Sequence, residues 1–357
     1  MTITGSGPPP EFARQRFLSE LFDAISSRTA LLVLGVLVIQ MGFVLSYVGA
    51  FHSPTPHEIP VAVVAPTPVS AQAVVELNAL RGDPLHAVAV TSEEAGRRLL
   101  DQGSVSAVLV VSATGTTDTL LVSAGGGASV AAAVQAVITK VDALEHRTVN
   151  TIDALPAQPG DARGLTGFYL VVGWLVGGYL MASLLGISSG ARPATTRRAL
   201  IRLLSAVPYA VISGLGGAII VTSLGALTGH FLALWWLGAL LVFSAAAVTM
   251  AFQVLFGVLG VGLTVILFVV LGNPSAGGAY PPALLPPFWR ALSGAIPTGA
   301  GVSAVRKIVY FGAHAIDGNL LVIGIYVVTG VLVTILGAGY HDRRSARSPF
   351  AAGAPTS

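Results

Sequence analysis

No Lys, Arg, Asp or Glu occurs anywhere between Arg202 and Arg290, and no carboxylate occurs between Asp161 and Asp317. A chargeless run of that length has no water-soluble fold open to it, because soluble domains carry about 25% charged residues. The whole chain carries 10%, with 54% apolar residues and a mean hydropathy of +0.79. These features exclude a soluble enzyme, a disordered chain and a collagen-like fibre, and they require a membrane region.

A bilayer core of about 30 Å is crossed by roughly 20 helical residues rising about 1.5 Å each. The hydropathy pattern predicts spans over 30–50, about 167–187, about 205–227 and about 319–339. The apolar run from Phe231 to Gly272 is too long for one crossing, and a division near Ala251–Gln253 makes it two. The expected fold class is a polytopic α-helical membrane protein of six transmembrane helices, arranged one plus five. A small α/β extracytoplasmic domain sits between the first and second. The corresponding segments are a cytoplasmic amphipathic stretch 1–29, a first span 30–50 and an exterior domain 51–165. A bundle 166–272, a Pro/Gly-rich broken segment 273–318, a last span 319–340 and a cytoplasmic tail 341–357 follow. The first span reads as an uncleaved signal-anchor, since its apolar run exceeds the usual signal-peptide core.

Arginine sets the orientation. Arg14, Arg16 and Arg28 precede the first span, Arg192, Arg197, Arg198 and Arg202 separate the second from the third, and Arg343, Arg344 and Arg347 follow the last. Six crossings place all three clusters on the cytoplasmic side of the plasma membrane, with both termini inside. Arg290, Arg306 and Lys307 stand alone opposite them. The basic balance, pI about 9.4, is therefore topological, and no nucleic-acid groove is indicated.

Residues 52–164 have globular composition. Short apolar runs at Ile59–Ala65, Leu85–Val90, Val105–Val111 and Thr119–Ser123 read as strands. Ser70–Leu80 reads as a helix. Thr91 and Glu94 form a capping box for a second helix that Gly103 stops. Residues from Ala128 to about Leu144 form a third, amphipathic helix leading back to the membrane. The order β-α-β-α-β-β-α fits a small α/β sandwich.

Little in the sequence carries catalytic chemistry. The chain has no cysteine, which removes disulfides, thiolate metal sites and Cys nucleophiles. His52 and His57 lack a third metal ligand at a credible spacing. Gly125–Gly127 lacks the Lys and Ser/Thr of a phosphate loop and reads as a flexible turn, and no P-loop exists elsewhere. No Ser/His/Asp set or paired-carboxylate site stands out. No catalytic residue, metal site or cofactor is therefore expected, and the chain is not read as an enzyme. The spans also lack the acids that ion-coupled carriers place at membrane depth. Gly173/Gly177, Ser213/Gly217 and Gly225/Gly229 have the small-xxx-small spacing of close helix packing or a dimer seam.

The most distinctive stretch runs from Asn273 to about Phe311. Asn273, Pro274, Gly277, Gly278, Tyr280, Pro281, Pro282, Trp289, Pro297, Gly299 and Arg306 are the substrate-path or structural candidates within it. It is rich in Pro and Gly yet apolar, which predicts a broken, partly re-entrant segment packed over the bundle. On the other side, the amphipathic stretch Glu11–Arg28 and the connector Ile187–Arg202 supply partner-contact candidates: Arg14, Arg16, Phe17, Arg192, Arg197 and Arg198.

The segment NPSAGGAYPPALLPPFWRALSGAIPTGAGVSAVRKIVYFG resembles the terminal signature of the YhgE/Pip-like branch of ABC-2-type membrane proteins. Ser92–Val111 resembles that family's exterior domain, and fungal nitrosoguanidine-resistance relatives share the one-plus-five plan. The exterior domain is much shorter than in the long bacterial members. The resemblance implies a permease-like subunit in the lipid bilayer, a homodimer or heterodimer, with a separate ABC ATPase contacted by the basic cytoplasmic elements. An apolar interior suits a hydrophobic molecule, and the expected substrate is hydrophobic or envelope-related. The alternative is a non-transporting surface receptor or envelope scaffold acting through the exterior domain.

Overall fold

The computed structural model describes residues 27–346. Arg14, Arg16, Phe17 and most of the expected amphipathic N-terminal segment lie outside the described residues, as does the tail from Arg347. Contacts divide the chain into two units, Met1–Leu45 and Ser46–Ser357. Helix α1, Ser27–Phe51, carries the apolar run expected at 30–50.

A five-stranded sheet follows. Its strands are β1 Ile59–Val64, β2 Leu85–Val90, β3 Ala107–Val110, β4 Thr117–Val122 and β5 Thr148–Asp153, in the order β2-β1-β3-β4-β5. Three helices cover it: α2 Val69–Asn78, α3 Glu93–Asp101 and α4 Ala124–Leu144. β1 pairs in parallel with β2 and β3, β4 is antiparallel to β3, and β5 is parallel to β4. Right-handed crossovers decide which helix lies on which face. The β1-to-β2 and β2-to-β3 connections step in opposite directions, so α2 and α3 take opposite faces. β4 runs the other way, so its step to β5 returns α4 to the face of α2.

The alternation of buried residues follows this plan. Ile59, Val61, Val63, Leu109 and Leu120 meet Leu77 of α2 and Val130, Val134 and Ile138 of α4. Ala62, Val108 and Leu121 meet Leu100 of α3 on the other face. Two sequence expectations change here. The helix after β4 returns to the sheet through β5 instead of leading to the membrane, because its apolar face fits the sheet. The N-cap of α3 is Ser92, whose hydroxyl accepts from Ala95 N at 3.2 Å, in place of Thr91. Gly103 ends that helix at φ +67°, as a left-handed C-terminal residue does.

Five further helices and two short ones complete the second unit: α5 Thr166–Ser189, α6 Thr196–Ser223, α7 Phe231–Phe256, α8 Leu259–Ser275, α9 Pro287–Ala295, α10 Pro297–Tyr310 and α11 Asp317–Ala346. Among the described residues six helices are long and apolar enough to cross a membrane, which suggests a multi-pass membrane protein. These are α1, α4, α5, α6, α7 and α11. α4 belongs to the sheet domain by packing. The fifth expected span is instead α8, a shorter apolar helix whose middle, Ile266–Leu271, winds as a π-type turn. At about 1.5 Å per residue it reaches about 25 Å, less than a bilayer core of about 30 Å. The turn expected near Ala251–Gln253 falls at Gly257, where φ +63° stops α7.

α7 is apolar all round and is the central helix. α5, α6 and α11 approach it through glycines. A Cβ on Gly178 would strike Val242 O, one on Gly214 would meet Trp235 O at 2.6 Å, and one on Gly330 would meet the Ala247 backbone at 2.8 Å. Close backbone approach of this kind is how helices associate where lipid supplies no hydrophobic drive. Outward-facing Ile201, Leu204, Ile212 and Ile220 of α6, and Leu321, Val328, Leu332 and Leu336 of α11, are more than half exposed. An apolar surface of that extent suits lipid and not water.

Candidate functional site

The expected small-residue seams resolve into different roles. Gly177 faces the Tyr209 hydroxyl at 3.3 Å and Ser213 Oγ at 3.6 Å, and Gly217 faces the Trp174 indole. These pairs pack helices within one chain. Gly225 and Gly229 have φ +68° and +86° in the turn between α6 and α7, so they form no seam. Gly173 has nothing within 4 Å of a built Cβ.

The two ends of the helices differ chemically. At one end, Arg202 Nη2 donates to Ser189 O and Gly190 O, both at 2.9 Å, and so caps the last carbonyls of α5. Arg192 Nη2 donates to Leu255 O at 3.0 Å near the end of α7. Thr196 N donates to Asp342 Oδ2 at 3.4 Å, bringing the start of α6 to the end of α11, where Arg343 and Arg344 lie. Arg197 and Arg198 are exposed at this same end. Orphan carbonyls at helix C-termini favour cations. Arg192 thus has a structural use that sequence reasoning missed, while Arg197 and Arg198 point outward.

The sheet domain occupies the other end. Asp161, buried, accepts from Thr166 N at 2.8 Å at the start of α5 and from the Tyr310 hydroxyl at 2.6 Å at the end of α10. Burial first, and the bond to Asp161 second, hold the Tyr310 phenol above its ordinary range, so it stays a neutral donor. Gln158 Oε1 accepts from Thr228 N at 2.7 Å in the α6–α7 turn. Arg306 Nη2 donates to Gly277 O at 3.0 Å and so holds the turn after α8 against α10. Asp161, Arg306 and Tyr310 share a small cavity of about 10 Å³.

The Pro/Gly-rich segment is thereby placed. Pro274 lies buried in the last turn of α8, beside Asn273. Gly277 turns at φ +76°, and Gly278 abuts the Phe168 ring. Tyr280 packs on Phe51 with ring centroids 5.7 Å apart. Pro281 presses on Gly127 of α4, where a Cβ would lie 2.8 Å from Pro281 Cγ, and Pro282 opens a 3-10 turn. Trp289, in α9, packs with Ala50 and Leu285. Pro297 opens α10 and Gly299 lies under Ser293 O, both fully within the core. Ser129 Oγ also donates to Ala279 O at 2.8 Å. The glycines expected as a flexible turn, Gly125–Gly127, lead into α4 with a kink at Gly127, φ +151°, and there they admit Tyr310, Phe311 and Pro281. The eleven candidates therefore sit in one continuous segment that joins the sheet domain to the helices.

An apolar groove of about 370 Å³ runs between α7, α8 and α11. Val248, Phe252 and Leu255 form one wall, Leu267 of the π-type turn the floor, and Ile325, Tyr326 and Val333 the other wall. Sequence reading had no access to it, since it forms from three helices brought together. Among the described residues no group of three or more His, Cys, Asp or Glu side chains could hold a metal, and His52 instead lies 3.0 Å from Val48 O through Nδ1. Comparison with known proteins returns no match: no family model, curated protein or solved structure is significantly similar to the chain.

Proposed function

We propose that this chain is a permease-like membrane subunit of ABC-2 type, working with a separate ATPase to export a hydrophobic or envelope-related substrate. The observation that carries the reading is the broken helix α8, whose π-type turn places Leu267 in the apolar groove between α7 and α11. Single π turns inside helices recur at functional sites, and broken helices recur where membrane proteins bind cargo. A groove of this size and lining suits an apolar molecule or acyl chain.

Two further features support it. The resemblance of Asn273–Gly312 to the terminal signature of that family falls on the segment that links α8 to the sheet domain. The chain also has no P-loop, so driven transport needs a partner. Exposed Arg197 and Arg198, at the end opposite the sheet domain, offer it a basic docking surface. In the proposed topology that end is cytoplasmic, and the sheet domain lies outside.

Affinity capture of the tagged chain from native membranes in mild detergent tests this. Co-purification of an ATP-hydrolysing subunit, reduced by Arg197→Glu with Arg198→Glu, is the expected result. Recovery of no such subunit, or nucleotide hydrolysis by the purified chain alone, would overturn it.

A further inference from the structure

The groove between α7, α8 and α11 is open on one side and basic at one end. α8 and α11 both lie against α7 and scarcely touch each other. The gap between them faces outward, where Leu255 is 46% and Ile325 53% exposed. The lining is apolar apart from the Tyr326 and Thr329 hydroxyls. Along α7 it extends from Val248 to Leu255, about 10 Å at about 1.5 Å per residue, which fits within one leaflet of a bilayer core of about 30 Å. Leu255 Cδ2 would lie 4.0 Å from a Cβ on Gly337, so this end of the groove is level with the last turns of α11.

Leu255 joins the groove to a charge. Its side chain lines the cavity, and its carbonyl accepts from Arg192 Nη2 at 3.0 Å. A Cβ on Gly257 would lie 3.9 Å from Arg192 Nε, so the guanidinium sits over the α7–α8 turn. Arg192 is exposed and has no ion-pair partner among the described residues. Its planar fork of N–H groups is the shape that recognises a phosphate. The same end carries Arg197, Arg198, Arg202, Arg343 and Arg344. Among the described residues there, the one acid is Asp342, and it already accepts from Thr196 N.

We propose that this groove holds one acyl chain of an anionic phospholipid, with the phosphate on Arg192 and the chain running from Leu255 toward Tyr326. The proposal rests on the reading of the groove as the place for an apolar cargo, and it names that cargo. A side opening at membrane depth admits a lipid straight from the bilayer, whereas a soluble ligand needs an aqueous mouth. The lining offers a polar body no partner, and uncompensated polar groups at that depth cost heavily. The arginine surplus at the end rejects a cationic amphiphile and attracts an anionic headgroup. Basic sites between membrane helices bind anionic lipid headgroups for this reason.

In the proposed topology the arginine end is cytoplasmic, so the lipid belongs to the inner leaflet. Its second chain stays in the bilayer, because the groove is about as long as one leaflet is deep and opens to one side. Lipid that merely coats the bundle would depend neither on the groove's volume nor on one particular arginine. A lipid seated as proposed depends on both, and it needs headgroup and chain on the same molecule.

Native mass spectrometry of the full chain in detergent tests the proposal, with dioleoylphosphatidylglycerol, dioleoylphosphatidylcholine, dioleoylglycerol and glycerol 3-phosphate as probes. Phosphatidylglycerol should bind saturably, one per chain. It should bind about fivefold more tightly than phosphatidylcholine, as net charge beside an arginine implies. Against the phosphate-free diacylglycerol the margin should be about tenfold, as loss of a charge-assisted hydrogen bond implies. Glycerol 3-phosphate, the headgroup without chains, should not bind. Thr329→Trp and, independently, Ile325→Trp fill the groove from its open side and should abolish binding while keeping the thermal transition. Arg192→Gln should bring phosphatidylglycerol to the level of the diacylglycerol, whereas Arg192→Lys, which keeps the charge, should keep the preference. Arg198→Gln, at the same end but outside the lining, should bind as the native chain does. Equal binding of phosphatidylglycerol and diacylglycerol, binding of glycerol 3-phosphate alone, or undiminished binding in a folded Trp variant would each overturn it. So would an equal loss in Arg192→Gln and Arg192→Lys, or a loss in Arg198→Gln. Binding is read on the purified chain, so failure to recover an ATPase would overturn the export reading and leave this result standing.

Discussion

The Tyr310 hydroxyl donates to Asp161 Oδ2 at 2.6 Å, joining residues 149 positions apart and tying the end of α10 to the start of α5. The same phenol oxygen accepts from Gln158 N at 3.2 Å. Gln158 in turn holds Thr228 in the α6–α7 turn. The side chains of Tyr310, Asp161 and Gln158 together thus fasten the loop leaving the sheet to α10, the start of α5 and the α6–α7 turn.

Tyr310→Phe keeps the ring that lies against Gly125 and removes only the hydroxyl. Asp161, 1% exposed, then retains the Thr166 N–H but loses its shortest donor. Leaving a buried acceptor short costs about 1–3 kcal/mol. The detergent-solubilised variant should unfold at a lower temperature, and Asp161→Ala, which removes both acceptor oxygens, should lose more. An unchanged transition in Tyr310→Phe would mean that the junction is held by other contacts.

Gly178 and Gly173 lie on one helix five residues apart and predict opposite outcomes. Gly178→Ala drives a methyl into Val242 O of α7, and overpacking of a close helix contact costs about 1–3 kcal/mol. Gly173→Ala meets nothing within 4 Å and should change stability by less than about 1 kcal/mol. Thermal unfolding of the two variants side by side checks this. A large loss in Gly173→Ala would show that a second molecule covers that position.

Much of this architecture could be read from residue order. The apolar runs placed α1, α5, α6, α7 and α11 to within a few residues at most ends, and β-branched runs placed four strands. What escaped was set by tertiary partners. β5, TVNTID, pairs by its backbone at a sheet edge with alternating half-exposed residues, so hydrophobic patterning never marks it. α4 is apolar enough to resemble a membrane span, and only its fit to the sheet decides otherwise. The break in α8 has no proline at the π turn, since Pro274 comes after it, and the sequence carries no local signal there. The candidate segment was legible because Pro, Gly and Trp concentrate in it.

The native chain contains no cysteine, so single cysteines report topology cleanly. Leu144 of the sheet domain is 77% exposed, and Ala194, in the connector before α6, is also exposed. With the arginine clusters inside, Leu144→Cys in intact cells should react with a membrane-impermeant maleimide, and Ala194→Cys only after permeabilisation. The reverse pattern would invert the orientation and remove the basis for an internal ATPase.

The stability of the sheet domain should depend on pH through Asp142, whose carboxyl is pushed up first by burial. Its carboxyl sits at about 6 in the folded chain against an ordinary 3.8. Between those values the folded state holds a proton that the unfolded state releases, so stability falls as pH rises from about 4 to about 6 and stays low above. The loss is on the order of 1–3 kcal/mol, since each unit of displacement corresponds to about 1.4 kcal/mol. Asp142→Asn cannot ionise, so it should match the native chain near pH 4 and exceed its stability at pH 7.5. Denaturant midpoints followed by hydrogen exchange at the α4 amides, at pH 4, 6 and 7.5, measure both slopes. A native chain that gains stability from pH 4 to 6 in this region, or an Asn variant with the same slope, would show that Asp142 is not held in an unfavourable charged state.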